Sequence, residues 1–285
     1  MPSVIRRASD IRTLVADWRG ARRVVGFVPT MGALHEGHVS LVRHALEVCD
    51  KVIVSVFVNP LQFDRKDDFE SYPSTEEEDV RLLMDLGVHG IYLPRHRDLF
   101  SDGFSTRVSQ TALTDQLCGA SRPGHFEGVL TIVCKLFNIV MPDRAFFGRK
   151  DLQQGRIIQK MTRDLNFPIE IVLLPTVREP DGLALSSRNR LLTSAHREAA
   201  VGISTAIGRA QAAVADAPRD ASALASETAD CLASLDGAEV DYCQICEPDG
   251  LEPREGQVLS GDVIAVAVVF GAVRLIDNAD LLGSS

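Results

Sequence analysis

The sequence predicts an α/β protein with a parallel sheet, followed by a smaller C-terminal α+β domain. The apolar run Val24-Val25-Gly26-Phe27-Val28 stops at Pro29 and passes through Gly32 and Gly37 into a stretch where Val39, Leu41, Val42, Ala45, Leu46 and Cys49 recur near helical spacing, which reads as strand, tight loop and helix. A second run, Lys51 to Val58, is nearly continuous in β-branched residues, as in strands buried on both faces of a parallel sheet. Past Thr193 the order changes to two alanine-rich helices, Thr193 to Ala215 and Ala221 to Leu235, and then strands Val240 to Cys246, Val263 to Phe270 and Val273 to Ile276. Helices followed by antiparallel-looking strands make a separate α+β unit.

With 285 residues, 45% of them hydrophobic, the chain can bury a substantial core in one large domain or two. Met1 to Arg7 lacks the apolar stretch of a signal peptide, and no run approaches a membrane span, so the expected location is cytoplasmic with no membrane partner. The net charge of −9 argues against nucleic acid as the main partner, since binding it needs a basic face. ATP needs only a local basic cluster, and Lys135, Lys150, Arg178 and Arg188 are candidates. The six scattered cysteines fit reduced thiols. Cys243 and Cys246 have redox spacing but fall in a strand-like stretch, where residues three apart point to opposite faces, so they read as buried or edge thiols.

In chain order, Ile11, Leu14, Val15 and Trp18 follow Ser9-Asp10 and end at Gly20, a capped amphipathic helix. Pro29-Thr30-Met31-Gly32-Ala33-Leu34-His35-Glu36-Gly37-His38 places His38 in the first turn of the next helix and His35 just ahead of it. Unpaired N–H groups gather there and favour an anion; after the first strand of an α/β sheet the commonest is a nucleotide triphosphate. Half a metal site or plain loop histidines are the alternatives, although the order His-Glu-Gly-His departs from H-E-x-x-H and its glycine interrupts the helical face. Asn59 and Gln62 follow the second strand, where Gln62 suits a hydroxyl or carboxylate or is an ordinary turn residue. Ser74 to Glu78 open a helix continued by Val80, Leu82, Leu83 and Leu86 to Gly87; their acidic cluster reads as helix electrostatics, with a magnesium-water contact as the alternative.

Gly90 to Pro94 reads as a third strand and Phe104 to Val108 as a short one. The loop Arg122-Pro123-Gly124-His125-Phe126-Glu127-Gly128 leads into an apolar helix, Val129 to Met141, whose one charge, Lys135, either snorkels to the surface or reaches a phosphate. Ala145 to Gly148 forms a strand, and in the charged helix start after it Lys150 supplies a point charge, with Gln154 a helical turn further on a similar face. After the strand Ile169 to Pro175, Ser186 and Ser187 beside Arg188 form either a clamp for β- and γ-phosphates or a helix cap with a surface arginine. Four strand-end loops thus carry polar or basic groups.

Together, Pro29 to His38, Phe57-Val58-Asn59-Pro60-Leu61-Gln62-Phe63, Arg122 to Phe126, Gly148 to Gln154, Leu185-Ser186-Ser187-Arg188-Asn189 and Arg274-Leu275-Ile276-Asp277-Asn278 resemble the pantothenate synthetase (pantoate–β-alanine ligase) family. The similarity runs from near residue 24 to residue 278. H-x-G-H alone is shared with the wider nucleotidyltransferase superfamily, but the combined set is specific. The resemblance implies a Rossmann-like parallel-sheet nucleotidyltransferase domain over residues 1–176, a C-terminal α+β lid domain over residues 177–285, and a homodimer. It implies ATP-dependent condensation of (R)-pantoate with β-alanine through a pantoyl adenylate, with ATP as substrate and Mg2+ accompanying it. By the same resemblance His38, His35 and Lys150 are catalytic, and the ATP-binding positions are Met31, Gly32, Ala33, Leu34, His35, Glu36, Gly37, His38, Gly148, Arg149, Lys150, Asp151, Val177, Leu185, Ser186, Ser187 and Arg188. Gln62 and Gln154 bind pantoate or β-alanine, and no protein residue is expected to ligate a metal. Arg149 departs from the glutamate usual in the family; its side chain is expected to point to solvent.

Overall fold

The computed structural model describes residues 2–63, 69, 72 and 75–282. They form two compact units, one of Met1–Asp115, Gly119–Arg149 and Gln154–Pro175, the other of Gln116–Cys118, Lys150–Gln153 and Thr176–Ser285.

In the first unit the strands β1 (Ser3–Ile5), β2 (Val25–Thr30), β3 (Lys51–Val56), β4 (Gly90–Tyr92), β5 (Arg144–Gly148) and β6 (Glu170–Leu174) form one sheet in the order β1-β4-β3-β2-β5-β6. Every neighbouring pair is parallel. Val28, Val52, Val54, Ile91 and Phe146 of the sheet pack with Leu41, Val42 and Ala45 of helix α2 (Glu36–Val48), so the apolar stripe of that helix is what closes this side of the core. The central strand β2 runs through Pro29 instead of stopping there. Thr30 turns its carbonyl to β3, accepting from Phe57 N at 3.0 Å, so Pro29 faces the β5 side, where pairing has already ended at Phe27–Ala145. Its missing N–H therefore costs no ladder bond.

Several boundaries differ from the sequence reading. Helix α1 (Ala8–Gly20) starts beyond Arg7, so Ser9 and Asp10 lie inside its first turn and do not cap it. Phe104 to Val108 is not a strand: Val108 N donates to Thr131 Oγ1 at 3.0 Å, tying this segment to a helix side chain in place of a sheet partner. The sheet edge is instead taken by Ser3–Ile5, paired with β4. Helix α3 (Glu76–Asp85) is flanked by Thr75, and Ser74 lies outside the described residues. Helix α4 (His125–Val140) includes His125 and Phe126, and α5 (Leu152–Asp164) follows a 3-10 turn over Arg149–Asp151.

In the second unit β7 (Ala238–Cys246), β8 (Val263–Phe270) and β9 (Val273–Asp280) form an antiparallel sheet in that order. Helices α6 (Ser194–Ala200), α7 (Gly202–Asp216) and α8 (Ala221–Ala233) precede it, and the predicted long helix is divided at Val201. Ile203, Ile207 and Ala210 of α7 and Leu224 and Leu232 of α8 pack with Ile264, Val266, Val268 and Leu275. Pairing with β8 carries β9 past Ile276, so Asp277 and Asn278 lie inside the sheet. Cys243 and Cys246 sit in β7 with burial pushing both thiols up to about 12, which leaves them protonated and unreactive at neutral pH. All six cysteines are free thiols. Among the described residues no helix is long and apolar enough to cross a membrane.

Candidate active site

The strand order marks where a ligand belongs. From β2 the chain moves to β3 on one side, and from β5 to β6 on the other, so the adjacent strands β2 and β5 form a switch point, and ligands gather beyond the carboxyl ends of such strands. The loop after β2 carries Met31 to His35, and Gly148 ends β5. A Cβ placed on Gly148 would meet nothing within 4 Å, so the backbone there stands beside open space.

His35 and His38 cap α2 reciprocally. His35 Nδ1 accepts from Gly37 N at 3.1 Å, and His38 Nδ1 accepts from His35 N at 3.3 Å, with ring centroids 4.2 Å apart. Two imidazoles thus do what Ser and Glu do in an ordinary capping box. An Nδ1 that accepts has its proton on Nε2, so the backbone selects for each neutral ring the tautomer that offers an Nε2–H donor. Gly37 is required by this packing, because a Cβ there would lie 2.8 Å from His35 Cε1. Alanine favours a helix over glycine by about 1 kcal/mol. Displacing the His35 ring also weakens the cap, at a cost of about 1 kcal/mol that offsets the helix gain, so Gly37→Ala is expected to leave the melting temperature near its original value while lowering enzymatic turnover at least several-fold; full turnover would show that the ring has room to spare.

The loop ahead of the histidines is held from α3. Asp79, 3% exposed, accepts from Ala33 N at 2.9 Å, Leu34 N at 2.8 Å and Thr75 Oγ1 at 2.9 Å. Gly32 and Ala33 have φ of 86° and 51°, and alanine adopts the left-handed region only at a cost of about 1 kcal/mol, which these bonds offset. The sequence reading missed Asp79, which follows Glu76, Glu77 and Glu78 in the same turn; its helical spacing with Leu82, Leu83 and Leu86, which puts it on the apolar face, is the signal that could have found it.

Gln62 lies in a 3-10 turn over Pro60–Gln62 and is 9% exposed. Asn59 Nδ2 donates to Gln62 Oε1 at 3.0 Å and to Gly128 O at 3.1 Å, while Gln62 Nε2 lies 2.7 Å from Met31 Sδ. The structure thus brings Met31 and Gln62 together. His125 Nδ1 is 2.7 Å from the Gln62 carbonyl and Arg122 Nη2 donates to that carbonyl at 3.4 Å, which gives the Arg122 to Phe126 loop its work. α4 can come this close only because residue 128 is glycine, since a Cβ there would lie 2.1 Å from Leu61 O. Gln154 is half-buried in the first turn of α5, but Lys150 is in the preceding 3-10 turn, so a shared helix face does not relate the two. Arg149 is half-buried.

Lys150, Asp151, Val177, Leu185, Ser186, Ser187 and Arg188 belong to the second unit. Lys150 Nζ is 3.9 Å from Asp151 Oδ1, and Asn278 Nδ2 donates to Lys150 O at 2.9 Å. Leu185 N donates to Val177 O at 2.9 Å and closes a tight loop. Ser186 Oγ accepts from Arg188 N at 3.2 Å at the start of a 3-10 turn over Ser187–Leu191, so the Ser186 hydroxyl proton remains as a donor. Two of the four basic candidates are committed elsewhere. Arg178 makes a bidentate pair with Asp277, at 2.6 and 3.0 Å, and also donates to Gly182 O. Lys135 Nζ sits over the rings of Phe104 and Phe100, 4.6 and 5.6 Å from their centroids, and burial lowers its pKa.

The sequence model of the Pantoate-beta-alanine ligase family matches residues 3–280. The chain belongs to this family. The pantothenate synthetase of Pelotomaculum thermopropionicum is 46% identical over 278 residues, covering 98% of each chain. That of Heliobacterium modesticaldum is 48% identical over 257 residues, covering 90% of this chain and 91% of its own. Among solved structures, the pantothenate synthetase of Thermus thermophilus matches with a TM-score of 0.91 at 39% identity, over 98% of this chain and 99% of that one. The Francisella tularensis pantoate-beta-alanine ligase, complexed with beta-gamma ATP and beta-alanine, matches with a TM-score of 0.81 at 34% identity, over 99% and 98% of the two chains. As a pantoate–β-alanine ligase the chain is an enzyme that joins a carboxylic acid to an amine.

Proposed function

We propose that the enzyme activates (R)-pantoate with ATP as a pantoyl adenylate and then transfers the pantoyl group to β-alanine, giving pantothenate, AMP and pyrophosphate. A pantoate carboxylate oxygen attacks the α-phosphorus, and the bond to the pyrophosphate oxygen breaks. The β-alanine amine then attacks the acyl carbon and expels AMP. A carboxylate is a poor acylating agent, and the adenylate supplies its leaving group. The observation that carries this reading is the pair of Nδ1-capped imidazoles, whose Nε2–H tautomer offers two neutral donors at a helix N-terminus, where phosphate charge grows.

In this reading Lys150, Ser186, Ser187 and Arg188 hold the phosphates, Gly148, Asp151 and Val177 contact adenosine, and Met31 lines the join between pantoate and nucleotide. Gln62 and Gln154 bind the pantoate hydroxyl and carboxylate groups. The substrates carry over from the Francisella relative, which is described with an ATP analogue and beta-alanine. Magnesium enters as the MgATP substrate on the nucleotide's own phosphates, where it screens the departing pyrophosphate. Residues 1–176 act as the ATP- and pantoate-binding domain and residues 177–285 as a lid, in a cytoplasmic homodimer.

Incubation with MgATP, pantoate and β-alanine is expected to yield AMP and pantothenate by mass detection, and pantoate alone is expected to support isotope exchange between pyrophosphate and ATP. ADP in place of AMP would overturn the adenylate route.

A further inference from the structure

Among the described residues β9 is an edge strand, paired with β8 alone. Side chains alternate between the faces of a strand. Val273, Leu275 and Asp277 stand opposite Phe270, Val268 and Val266, on the face packed by α7 and α8, which leaves Arg274 and Asn278 on the other face. There they meet two short segments of the same unit that lie far away in sequence. Arg274 Nη1 is 3.4 Å from Cys118 Sγ, and Asn278 Nδ2 donates to the main-chain oxygen of Lys150 at 2.9 Å. Gln153 ties the two segments together: its Oε1 accepts from Cys118 N at 3.0 Å and its Nε2 donates to Gln116 O at 2.7 Å. Asn278 and Gln153 are both 6% exposed, so water has little room to replace a lost donor. Lys150 itself sits in a 3-10 turn of three residues, and so short a turn has little internal bonding to fix its direction.

We propose that Asn278 is a positioning residue for Lys150, its amide fixing the main chain from which the ammonium group reaches the nucleotide phosphates. This rests on the phosphate role given to Lys150 above. It gives the last residue of the late Arg274 to Asn278 motif a place in the reaction without contact with substrate.

The test is a double-mutant cycle read by pantoate-dependent pyrophosphate–ATP exchange. Asn278→Ala is expected to lower kcat/KM for MgATP about tenfold, the worth of one buried hydrogen bond, with KM for pantoate unchanged. In a Lys150→Met background the same substitution is expected to change the rate less than twofold. Asn278→Leu keeps the volume of the side chain but lacks the donor, so it is expected to follow Asn278→Ala and covers the case in which the cavity left by alanine prevents folding. Equal losses in both backgrounds would mean a general structural role and overturn the proposal, as would a full rate in Asn278→Leu. If Lys150→Met alone keeps full activity, the phosphate role of Lys150 fails, a result distinct from equal losses in an impaired Lys150→Met background.

Discussion

His38→Ala is expected to lower the pantoate-dependent exchange rate about a hundred- to a thousandfold, the loss that follows removal of one preorganised donor at developing charge. Two effects compete in that substitution. Removing the imidazole also leaves His35 N without its acceptor, because the 3.3 Å bond to His38 Nδ1 is part of the cap of α2. Loss of a cap costs about 1 kcal/mol of stability, too little to unfold a domain of ordinary stability. The kinetic loss is therefore expected in a folded protein, with MgATP affinity changed far less than turnover. Equal losses of affinity and turnover, from calorimetry and exchange rates on the same preparation, would mean that His38 binds ground state and transition state alike.

Asp79→Ala is expected to have the second largest effect, although no substrate contact is needed to produce it. The carboxylate serves the N–H groups of Ala33 and Leu34 and the hydroxyl of Thr75. Bonds to a charged acceptor are worth about 1.5–3 kcal/mol each, and an orphaned buried N–H costs a similar amount. Part of this returns because Ala33 N also lies 3.0 Å from Thr75 Oγ1, so Ala33 keeps one acceptor and Leu34 loses its own. A net destabilisation of about 3 kcal/mol is expected in denaturant unfolding, together with at least a tenfold fall in exchange rate as Met31 to His35 lose their anchor. Asp79→Asn separates the two effects. It keeps the volume and one acceptor oxygen but turns an amide N–H toward a backbone donor, so stability should recover only in part while the rate stays low. A wild-type rate in Asp79→Asn would show that the loop keeps its shape without the ionised group.

Much of the molecule is readable in its residues because the signals are local. An apolar strand that ends one residue past Pro29, glycines at 32 and 37 and an apolar helical stripe beyond His38 state where one element stops and the next begins. The combination of short motifs from Pro29 to Asn278 carries the family. The doubly apolar runs of β2 and β3 announce a parallel sheet, since only burial on both faces tolerates them.

What the sequence left open concerns partners far apart along the chain. Helical spacing puts Asp79 and not Glu76, Glu77 or Glu78 on the apolar face of α3, but only the tertiary packing of α3 against the Met31 to Leu34 loop decides which donors its carboxylate serves. Arg178 looked available for phosphate until Asp277, 99 residues later, claimed its guanidinium. His125 reaches back 63 residues to hold the Gln62 carbonyl, and Asn278 reaches back 128 to hold that of Lys150. A polar side chain's chemistry is written in its residue type, whereas its commitment depends on which buried donor or acceptor would otherwise be unpaired. Only the folded chain brings those groups within about 3 Å of each other, the range in which a hydrogen bond forms.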